Sequence, residues 1–327
     1  MTYSTLIRKL SYGVHDVAHL EEEEAYQLFS AMLDDGVSDL ELGAIVMALR
    51  IKSESIEELL GFYRALAERV YPLNMPTASC RPVVLPSYSG ALHQANLLPL
   101  LALLLRDCGV PVVIHGTLQS NGRVTTASIL RELGILPCIN LPQAVKQLNE
   151  QGLVFLHAVT LCPGLAALMT LRERMGLRNS AHAMAKLIDP FSDGCLRVVS
   201  VADPLQLEKM RDFLTMTGAR ALLLQSTDGE GYADPMRRQQ MEFINDGSSS
   251  LLCAAEQGEV KHLPQLPDDI DAHTTAGWIR RVMAKEIAVP QSVISQLACC
   301  LYGCGYADDM SQASAIAASK SGNLVSA

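Results

Sequence analysis

The chain has 327 residues, of which 49% are hydrophobic and 19% charged, and its formal net charge is −9. This length allows one large or two modest domains with a sizeable core, which indicates a globular protein. The longest apolar run, residues 97–105, is far shorter than the ~20 residues that span a bilayer. Arg8 and Lys9 interrupt the early apolar residues, which argues against a secretory signal. We therefore expect a cytoplasmic protein with no membrane partner.

The first 75 residues have the pattern of a helical domain. Ser38–Glu41 and Ser55–Glu58 each fit a capping box, in which a serine and the glutamate three residues later satisfy free amides at a helix start. Apolar residues follow both boxes at helical spacing, and Leu40 and Met47 fall on the side of the first helix opposite to its main stripe. Pro72 and Pro76 end this helical segment.

From residue 82 onward, short β-rich runs alternate with helical stretches. This alternation predicts a mostly parallel sheet with helices on both faces. The predicted strands are residues 83–85, 110–115, 153–157, 196–201 and 219–224, with a possible strand at 250–254. The predicted helices are residues 96–108, 123–134, 165–175, 205–215, 272–284 and 291–301, and the tail after Ala313 is expected to fray. Ligands of such sheets bind beyond the carboxyl ends of the strands.

Charge and cysteine content restrict the partners. Residues 1–75 hold 13 acidic and 6 basic side chains, whereas residues 76–327 hold 22 and 20, so the longer part has room for a local basic groove. None of the nine cysteines forms a C-x-x-C pair, and Cys299, Cys300 and Cys304 have no histidine nearby. We therefore expect no zinc site, and mostly buried thiols in a reducing compartment.

Three segments resemble one enzyme family across most of the chain. They read L-E-L-G-A-I-V-M-A-L-R-I-K-S-E-S-I-E-E-L-L-G-F (residues 40–62), M-G-L-R-N (175–179) and A-R-A-L-L-L (219–224). The family they resemble is anthranilate phosphoribosyltransferase, of glycosyltransferase family 3 with the class III phosphoribosyltransferase fold. The resemblance implies a helical dimerisation domain at residues 1–75, joined by helices from about 165–187. That domain would pack on an α/β domain at residues 76–327.

The family's phosphate-binding motifs are altered in this chain. Where the enzymes have G-T-G-G-D, whose glycines let backbone amides approach a diphosphate, this chain has Ser87, Tyr88, Ser89, Gly90 and Ala91. The enzymes' K-H-G-N aligns with Ile114, His115, Gly116 and Thr117, so the lysine is replaced. The comparison with the family predicts a degenerate phosphate site. Its members are Ser87, Tyr88, Ser89, Gly90, Ala91, His93, Asn96 and Gly116.

The magnesium and acceptor positions are altered as well. The two acids that hold magnesium in the family follow a D-G-x pattern, here Asp228–Glu230, and the next two residues are Gly231 and Tyr232. Neither can offer a carboxylate oxygen, although Glu230 or Asp234 would compensate after a shift of register. Arg172 matches the arginine that pairs with the anthranilate carboxylate. The resemblance therefore implies a protein that is not an enzyme, with no catalytic residue, metal or cofactor.

With these losses, the chain resembles the non-catalytic YbiB-like branch of the family. Four segments carry this resemblance: P-S-Y-S-G-A, Q-A-N-L, V-I-H-G and R-M-G-L-R-N-S-A-H-A-M-A-K-L. That branch is described as binding DNA and RNA with little sequence preference, as homodimers. A basic cleft near the old active site is the expected surface. Its candidate residues are Arg172, Arg174, Arg178, Lys186, His115, Arg123, Lys209 and Arg211.

Each candidate also has a structural interpretation. The basic run from Arg172 to Lys186 can be a solvated helix face, and Gly176 interrupts any single stripe through it. Tyr88 can stack on a base or only fill the emptied pocket. Two other functions stay open: a phosphoribosyltransferase with a changed acceptor, and a non-catalytic scaffold that binds a small molecule or a protein.

Overall fold

The computed structural model describes residues 3–11, 18–120, 122–192, 194–226, 228–257 and 263–322. The helices are α1 (Tyr3–Leu10), α2 (Glu22–Leu33), α3 (Asp39–Lys52), α4 (Ile56–Ala67), α5 (Leu98–Asp107), α6 (Thr126–Glu132), α7 (Leu141–Gln151), α8 (Ala158–Leu161), α9 (Pro163–Met175), α10 (Ser180–Ala185), α11 (Leu205–Met216), α12 (Ala272–Met283), α13 (Gln291–Gly303) and α14 (Met310–Lys320). The strands are β1 (Val83–Ser87), β2 (Val112–Gly116), β3 (Leu153–His157), β4 (Leu196–Val201), β5 (Ala221–Gln225), β6 (Met241–Asn245) and β7 (Ser248–Cys253).

The chain forms two compact units. The helical unit comprises Met1–Pro72 and Ala158–Pro190, and the α/β unit comprises Leu73–His157 and Phe191–Ala327. The sequence had suggested a second helical segment at about residues 165–187, and the structure includes α8, α9 and α10 in the helical unit.

The helical unit is built around close contact between α2 and α4. Phe29 and Phe62 stack with ring centroids 4.7 Å apart, and both are fully buried. A Cβ at Gly61 would lie 2.3 Å from the carbonyl oxygen of Glu22, so the absence of a side chain lets the two backbones approach. The aromatic pair and the glycine contact therefore allow α2 and α4 to pack closely.

One of the two predicted capping boxes forms. The Ser55 side chain accepts from the Glu58 amide while Glu58 accepts from the Ser55 amide. The box predicted at Ser38 is wrong, because the Ser38 hydroxyl donates to the Glu41 carboxylate at 2.7 Å and does not accept from a free amide of the helix. Helix α3 nevertheless begins directly after Ser38.

The predicted two-sided character of α3 is confirmed. Ile45 and Leu49 are fully buried on one side, whereas Leu40 is 86% exposed, Met47 36% and Ile51 78%. The spacing of seven and four residues places these exposed side chains on one strip of the helix. Among the described residues, the core of the helical unit therefore leaves an apolar strip of α3 uncovered.

The α/β unit contains a seven-stranded sheet with the order β3-β2-β1-β4-β5-β6-β7. The first five strands in this order are parallel, and β6 and β7 continue the sheet antiparallel. The predicted, mostly parallel sheet is confirmed. The sequence pattern missed β6, which follows a turn-rich segment. The first part of the tail that we expected to fray belongs to α14, in which Ala313 and Ala317 are buried, and residues 323–327 lie outside the described residues.

Burial explains why the strands are so apolar. Every residue of β1, β2 and β4 is buried, because helices cover both faces of a parallel sheet. Leucine-rich α5 and cysteine-containing α13 pack into the core on one face, and most of the cysteines are buried as expected. The carboxyl ends of β1, β2 and β5 lie at one edge, which positions residues 87–93, 116–117, 226 and 228–230 for a common site.

No helix within the described residues is both long and apolar enough to cross a membrane.

Candidate functional site

The loop after β1 presents five consecutive backbone amides, which we call the amide loop (residues 89–93). All five donate to acceptors within the α/β unit. The Ser89 and Gly90 amides both donate to Glu230 Oε1 at 2.7 Å, and the Leu92 and His93 amides donate to Asp228 Oδ2 at 3.1 and 3.2 Å. The fifth, that of Ala91, donates to the Val124 carbonyl at 2.8 Å. Carboxylates of the same chain therefore satisfy four of the five amides.

Residues 228–230, which we call the acidic turn, are held firmly in place. The Gly229 carbonyl accepts from the hydroxyls of Ser89 at 3.3 Å and Ser200 at 3.1 Å. A little further on, the Gln296 side chain donates to the Gly231 carbonyl at 2.7 Å and accepts from the Ala233 amide at 2.6 Å. Gly229 has φ +80°, a value that glycine adopts without strain. Both carboxylates are therefore fixed at the loop by several independent contacts.

Charge balance at the acidic turn is incomplete. Glu230 is fully buried and Asp228 is 6% exposed. The nearest cation to Asp228 is Arg123, whose Nη1 lies 3.8 Å from Oδ1 and donates to the Gly90 carbonyl at 3.0 Å. Asp228 Oδ1 and Glu230 Oε2 have no hydrogen-bond partner among the described residues. The turn thus brings two negative groups to the loop and keeps them there.

Tyr88 and His115 form a buried pair beside the amide loop. The Tyr88 hydroxyl is hydrogen-bonded to His115 Nδ1 at 2.7 Å, and the rings meet edge to face. Tyr88 is 3% exposed and His115 is fully buried. Burial lowers the pKa of His115 to about 3, so the ring is neutral at physiological pH. The prediction that His115 contacts nucleic acid is corrected, because its side chain is fully buried. Of the two alternatives open for Tyr88, its burial against His115 favours a packing role over stacking on a base.

The other members of the predicted phosphate site support the loop. The Ser87 hydroxyl donates to Thr126 Oγ1 at 2.8 Å, and the buried Asn96 donates to the same atom at 3.0 Å. A Cβ at Gly116 would lie 1.8 Å from the Ser87 carbonyl oxygen, so no side chain fits there. His93 has an exposed side chain, while its amide is engaged by Asp228.

Phosphoribosyl diphosphate and magnesium, the groups implied by the family resemblance, do not fit this arrangement. The amides that would meet a diphosphate already donate to carboxylates, and Glu230 and Asp228 would repel an anion placed beside them. Among the described residues, no group of three His, Cys, Asp or Glu side chains is arranged to hold a metal ion. We derive no chemical step through either group.

A second feature lies in the helical unit, where the charges of three basic side chains act on His182. We call Arg172, Arg178 and Lys186 the cationic cluster. Burial, followed by repulsion from Arg178, Arg172 and Lys186, lowers the pKa of His182 to about 4. The ring is nine-tenths buried and caps α10 with Asn179, whose amide donates to His182 Nδ1 at 3.3 Å. Three of the predicted nucleic-acid-binding residues therefore act on one buried histidine.

The cluster sits at the junction of two helices. Gly176, with φ +74°, ends α9 in a left-handed cap, and Asn179 begins α10 by accepting from the Ala181 amide. No ion pair of Arg172 is present among the described residues, whereas Arg178 and Lys186 have further contacts. The helix break predicted at Gly176 is present, so Arg172 lies on α9 whereas Arg178 and Lys186 follow the break.

The remaining predicted contacts are not part of this cluster. Arg174 is 71% exposed and lies 3.4 Å from Asp39, which makes at most a weak surface pair. In the α/β unit, Arg123 donates a hydrogen bond to the Gly90 carbonyl of the amide loop. Arg211 on α11 donates two hydrogen bonds to Glu242. Lys209 is half-buried on the same helix and has a contact of its own. Arg211 is thus largely neutralised by its partner.

Sequence reasoning missed the role of the acidic turn. It treated Glu230 as a substitute magnesium ligand, whereas the structure uses it as a hydrogen-bond acceptor for the amide loop. The sequence feature that pointed to this role was that Ala91 aligns with an aspartate of the enzymes, while two acidic residues follow β5. No spacing rule links positions about 140 residues apart, so the sequence alone did not reveal this pair.

Comparisons with known proteins agree with this architecture. A family model described as the helical bundle domain of the glycosyl transferase family matches residues 4–70. Anthranilate phosphoribosyltransferase from Thermus thermophilus has a similar structure, with a TM-score of 0.76 and 22% identity over 97% of this chain and 94% of that one. The Saccharomyces cerevisiae enzyme, solved in complex with PRPP and Mg, gives a TM-score of 0.73 and 14% identity over 98% and 94%. The fold is therefore that of anthranilate phosphoribosyltransferase.

A nearer relative defines the branch. The chain is 40% identical over 312 residues to the Escherichia coli (strain K12) protein YbiB, which is described as uncharacterized, and the match covers 95% of this chain and 97% of that protein. Anthranilate phosphoribosyltransferase of Pelotomaculum thermopropionicum is 25% identical over 74% of this chain and 67% of its own length. This chain belongs to the family of YbiB, within the anthranilate phosphoribosyltransferase-like proteins.

Proposed function

We propose that this protein binds DNA, RNA or both without sequence preference, as a homodimer in the cytoplasm, and that it does not transfer phosphoribosyl groups. The observation that supports nucleic-acid binding is the cationic cluster around His182. After burial, the charges of Arg178, Arg172 and Lys186 contribute to the lowered pKa of His182, so three basic side chains act on one histidine in a chain whose formal net charge is −9.

The chemistry of the cluster suits a phosphate backbone. Arginine and lysine neutralise phosphates and release the counterions that surround a nucleic acid, and this gain does not depend on base sequence. Arg172, Arg178 and Lys186 are each half-buried, so their aliphatic parts are packed and their positions are restricted. Restricted cations lose less conformational freedom on binding than mobile surface lysines do.

The geometry of the amide loop supports the absence of transferase activity. Stabilising a diphosphate leaving group requires donors and metal aimed at its developing charge. In this chain the amide donors of the loop already serve Glu230 and Asp228. A transferase with a changed acceptor would need the same amide donors. Because these donors are already engaged, the geometry of the loop also argues against that alternative.

The exposed strip on α3 supports the homodimer. Leu40 and Ile51 are 86% and 78% exposed, and Met47 lies between them. An apolar strip of this kind on a helical unit is typical of an interface with a second copy. The resemblance to the family, whose members dimerise through the helical part, leads to the same proposal.

The decisive experiment reverses the charge of the cluster. Binding of a fluorescent duplex of about 20 base pairs and of a single strand is measured by anisotropy at several salt concentrations, for the wild type and R172E/R178E. We expect weaker binding of every sequence, and a salt slope smaller by roughly 0.9 per lost duplex contact. Circular dichroism and light scattering confirm that the variant is folded and dimeric.

A matched control variant distinguishes the effect of the cationic cluster on binding from the effect of the overall net charge. K146E/R281E makes the same change in net charge at two exposed positions of the α/β unit, and it should retain most of the affinity and the full salt slope. If a folded R172E/R178E keeps wild-type affinity and slope, the cluster is not the binding surface. The next variants would then be at Lys209 and Arg211.

A further inference from the structure

The amide loop has the features of an anion site. Four of its N–H groups converge on two carboxylates, and such groups of backbone amides favour negative charge. Hydrogen bonds from amides to an ionised oxygen are shorter and stronger than those to a neutral one. The 2.7 Å distances from Glu230 Oε1 to the Ser89 and Gly90 nitrogens fit this class.

The two carboxylates divide the loop between them. Glu230 accepts hydrogen bonds from the first two amides of the loop, and Asp228 accepts hydrogen bonds from the fourth and fifth. Two linked anionic groups on successive amides are also what a diphosphate would present. The acidic turn therefore resembles a bound diphosphate in charge and in the donors it engages.

We propose that Glu230 and Asp228 are built-in anionic ligands of the amide loop and exclude phosphorylated compounds from it. The loop keeps its anion-binding backbone, and the chain itself supplies the anion. The inference deepens the proposed loss of phosphoribosyl transfer and rests on that part of the proposed function. It does not depend on nucleic-acid binding, which is proposed for the helical unit.

The arrangement of the turn explains why a ligand does not displace it. Glu230 is fully buried, so an incoming phosphate would first have to expose that carboxylate and break its two amide hydrogen bonds. The Gly229 and Gly231 carbonyls are held by Ser89, Ser200 and Gln296, which opposes such a movement. A diphosphate beside the remaining Asp228 would also meet a like charge.

Inorganic diphosphate is the probe that tests the proposal. The wild type, E230Q, D228N/E230Q and D228A/E230A are titrated, and binding is followed by the backbone amide NMR signals of Ser89 and Gly90 and by thermal stability. We expect no saturable shift in the wild type at millimolar diphosphate. The alanine pair should bind at least ten-fold more tightly than the wild type and gain thermal stability, with D228N/E230Q between the two.

Controls keep the outcome clear. D234N changes a carboxylate on the same segment that accepts from the Met236 amide, and it should behave like the wild type. A wild type that binds diphosphate with shifts at Ser89 and Gly90 overturns the proposal, and that measurement needs no variant to fold. Folded variants that gain no diphosphate binding overturn it as well.

Nucleic-acid titrations of the same variants distinguish this inference from the proposed binding function. E230Q should bind DNA as the wild type does, because the cationic cluster is unchanged. If DNA binding is absent in every protein but diphosphate behaves as expected, the inference about the loop stands and the nucleic-acid function fails.

Discussion

The Tyr88 hydroxyl lies 2.7 Å from Nδ1 of His115, and both residues are buried at the carboxyl ends of β1 and β2. Because burial lowers the pKa of His115 to about 3, the folded protein holds this ring neutral, whereas the unfolded chain protonates it near pH 6.5. Acid therefore favours the unfolded state through this residue. The Tyr88–His115 pair therefore makes the α/β unit sensitive to pH.

The first prediction is a loss of stability below about pH 6.5. Above roughly pH 6.5, His115 is neutral in both the folded and the unfolded state and leaves the free energy of unfolding unchanged with pH. As the pH falls from there toward about 3, only the unfolded state takes up the proton, so the free energy of unfolding decreases by about 1.4 kcal/mol per pH unit. Urea unfolding at several pH values should show H115N with a shallower pH dependence than the wild type, by about one proton. Equal slopes for the two proteins would contradict the assignment, whatever their absolute stabilities.

The second prediction concerns His182. Repulsion from Arg178 and Arg172 contributes to its lowered pKa, so R178E should raise that pKa by up to about one unit. High salt should raise it in the wild type, and bound DNA should raise it too if phosphates meet the cluster. NMR titration of the ring protons measures all three. An unchanged pKa in R178E would mean that burial alone sets its value.

The third prediction concerns the dimer. L40E/I51E introduces charges on the exposed strip of α3 and should give a monomer at micromolar concentration in light scattering, where we expect the wild type to be a dimer. L205E, at an 84% exposed position on α11 in the other unit, should leave the mass unchanged. A wild type that is monomeric would refute the proposed assembly directly.

The fourth prediction concerns catalysis. Purified protein with magnesium, phosphoribosyl diphosphate and anthranilate should give no product above background, because the amide loop is engaged by Glu230 and Asp228. E230Q should not restore turnover, since Ile114 and Gly231 still stand where the family has lysine and an acid. Magnesium-dependent product formation by the wild type would refute the non-catalytic assignment.

The fifth prediction uses two glycines. G116A should destabilise the protein by about 3 kcal/mol or more, because its Cβ would lie 1.8 Å from the Ser87 carbonyl oxygen. Gly277 in α12 has nothing within 4 Å of an added Cβ, so G277A should stabilise by roughly 0.5–1 kcal/mol. Thermal unfolding compares both variants, and a harmless G116A would contradict the close approach of β1 and β2.

The sequence by itself determined the local structure and the family. The β-rich runs predicted β1 to β5 to within about two residues at each end, and Ser55–Glu58 predicted the start of α4. These signals are local, because side-chain periodicity and capping act within one or two turns of chain. The altered phosphate motifs were equally visible in the sequence, since motif comparison requires no coordinates.

The tertiary structure alone decided which groups the amide loop binds. Glu230 reaches Gly90 across 140 residues, because β4 and β5 continue the sheet beyond β1 and bring their carboxyl ends to one edge. His115 and Arg172 look alike in sequence as candidate contacts, yet one is buried and neutral and the other joins a cationic cluster. Burial and long-range pairing depend on strand order and packing, which no local pattern encodes.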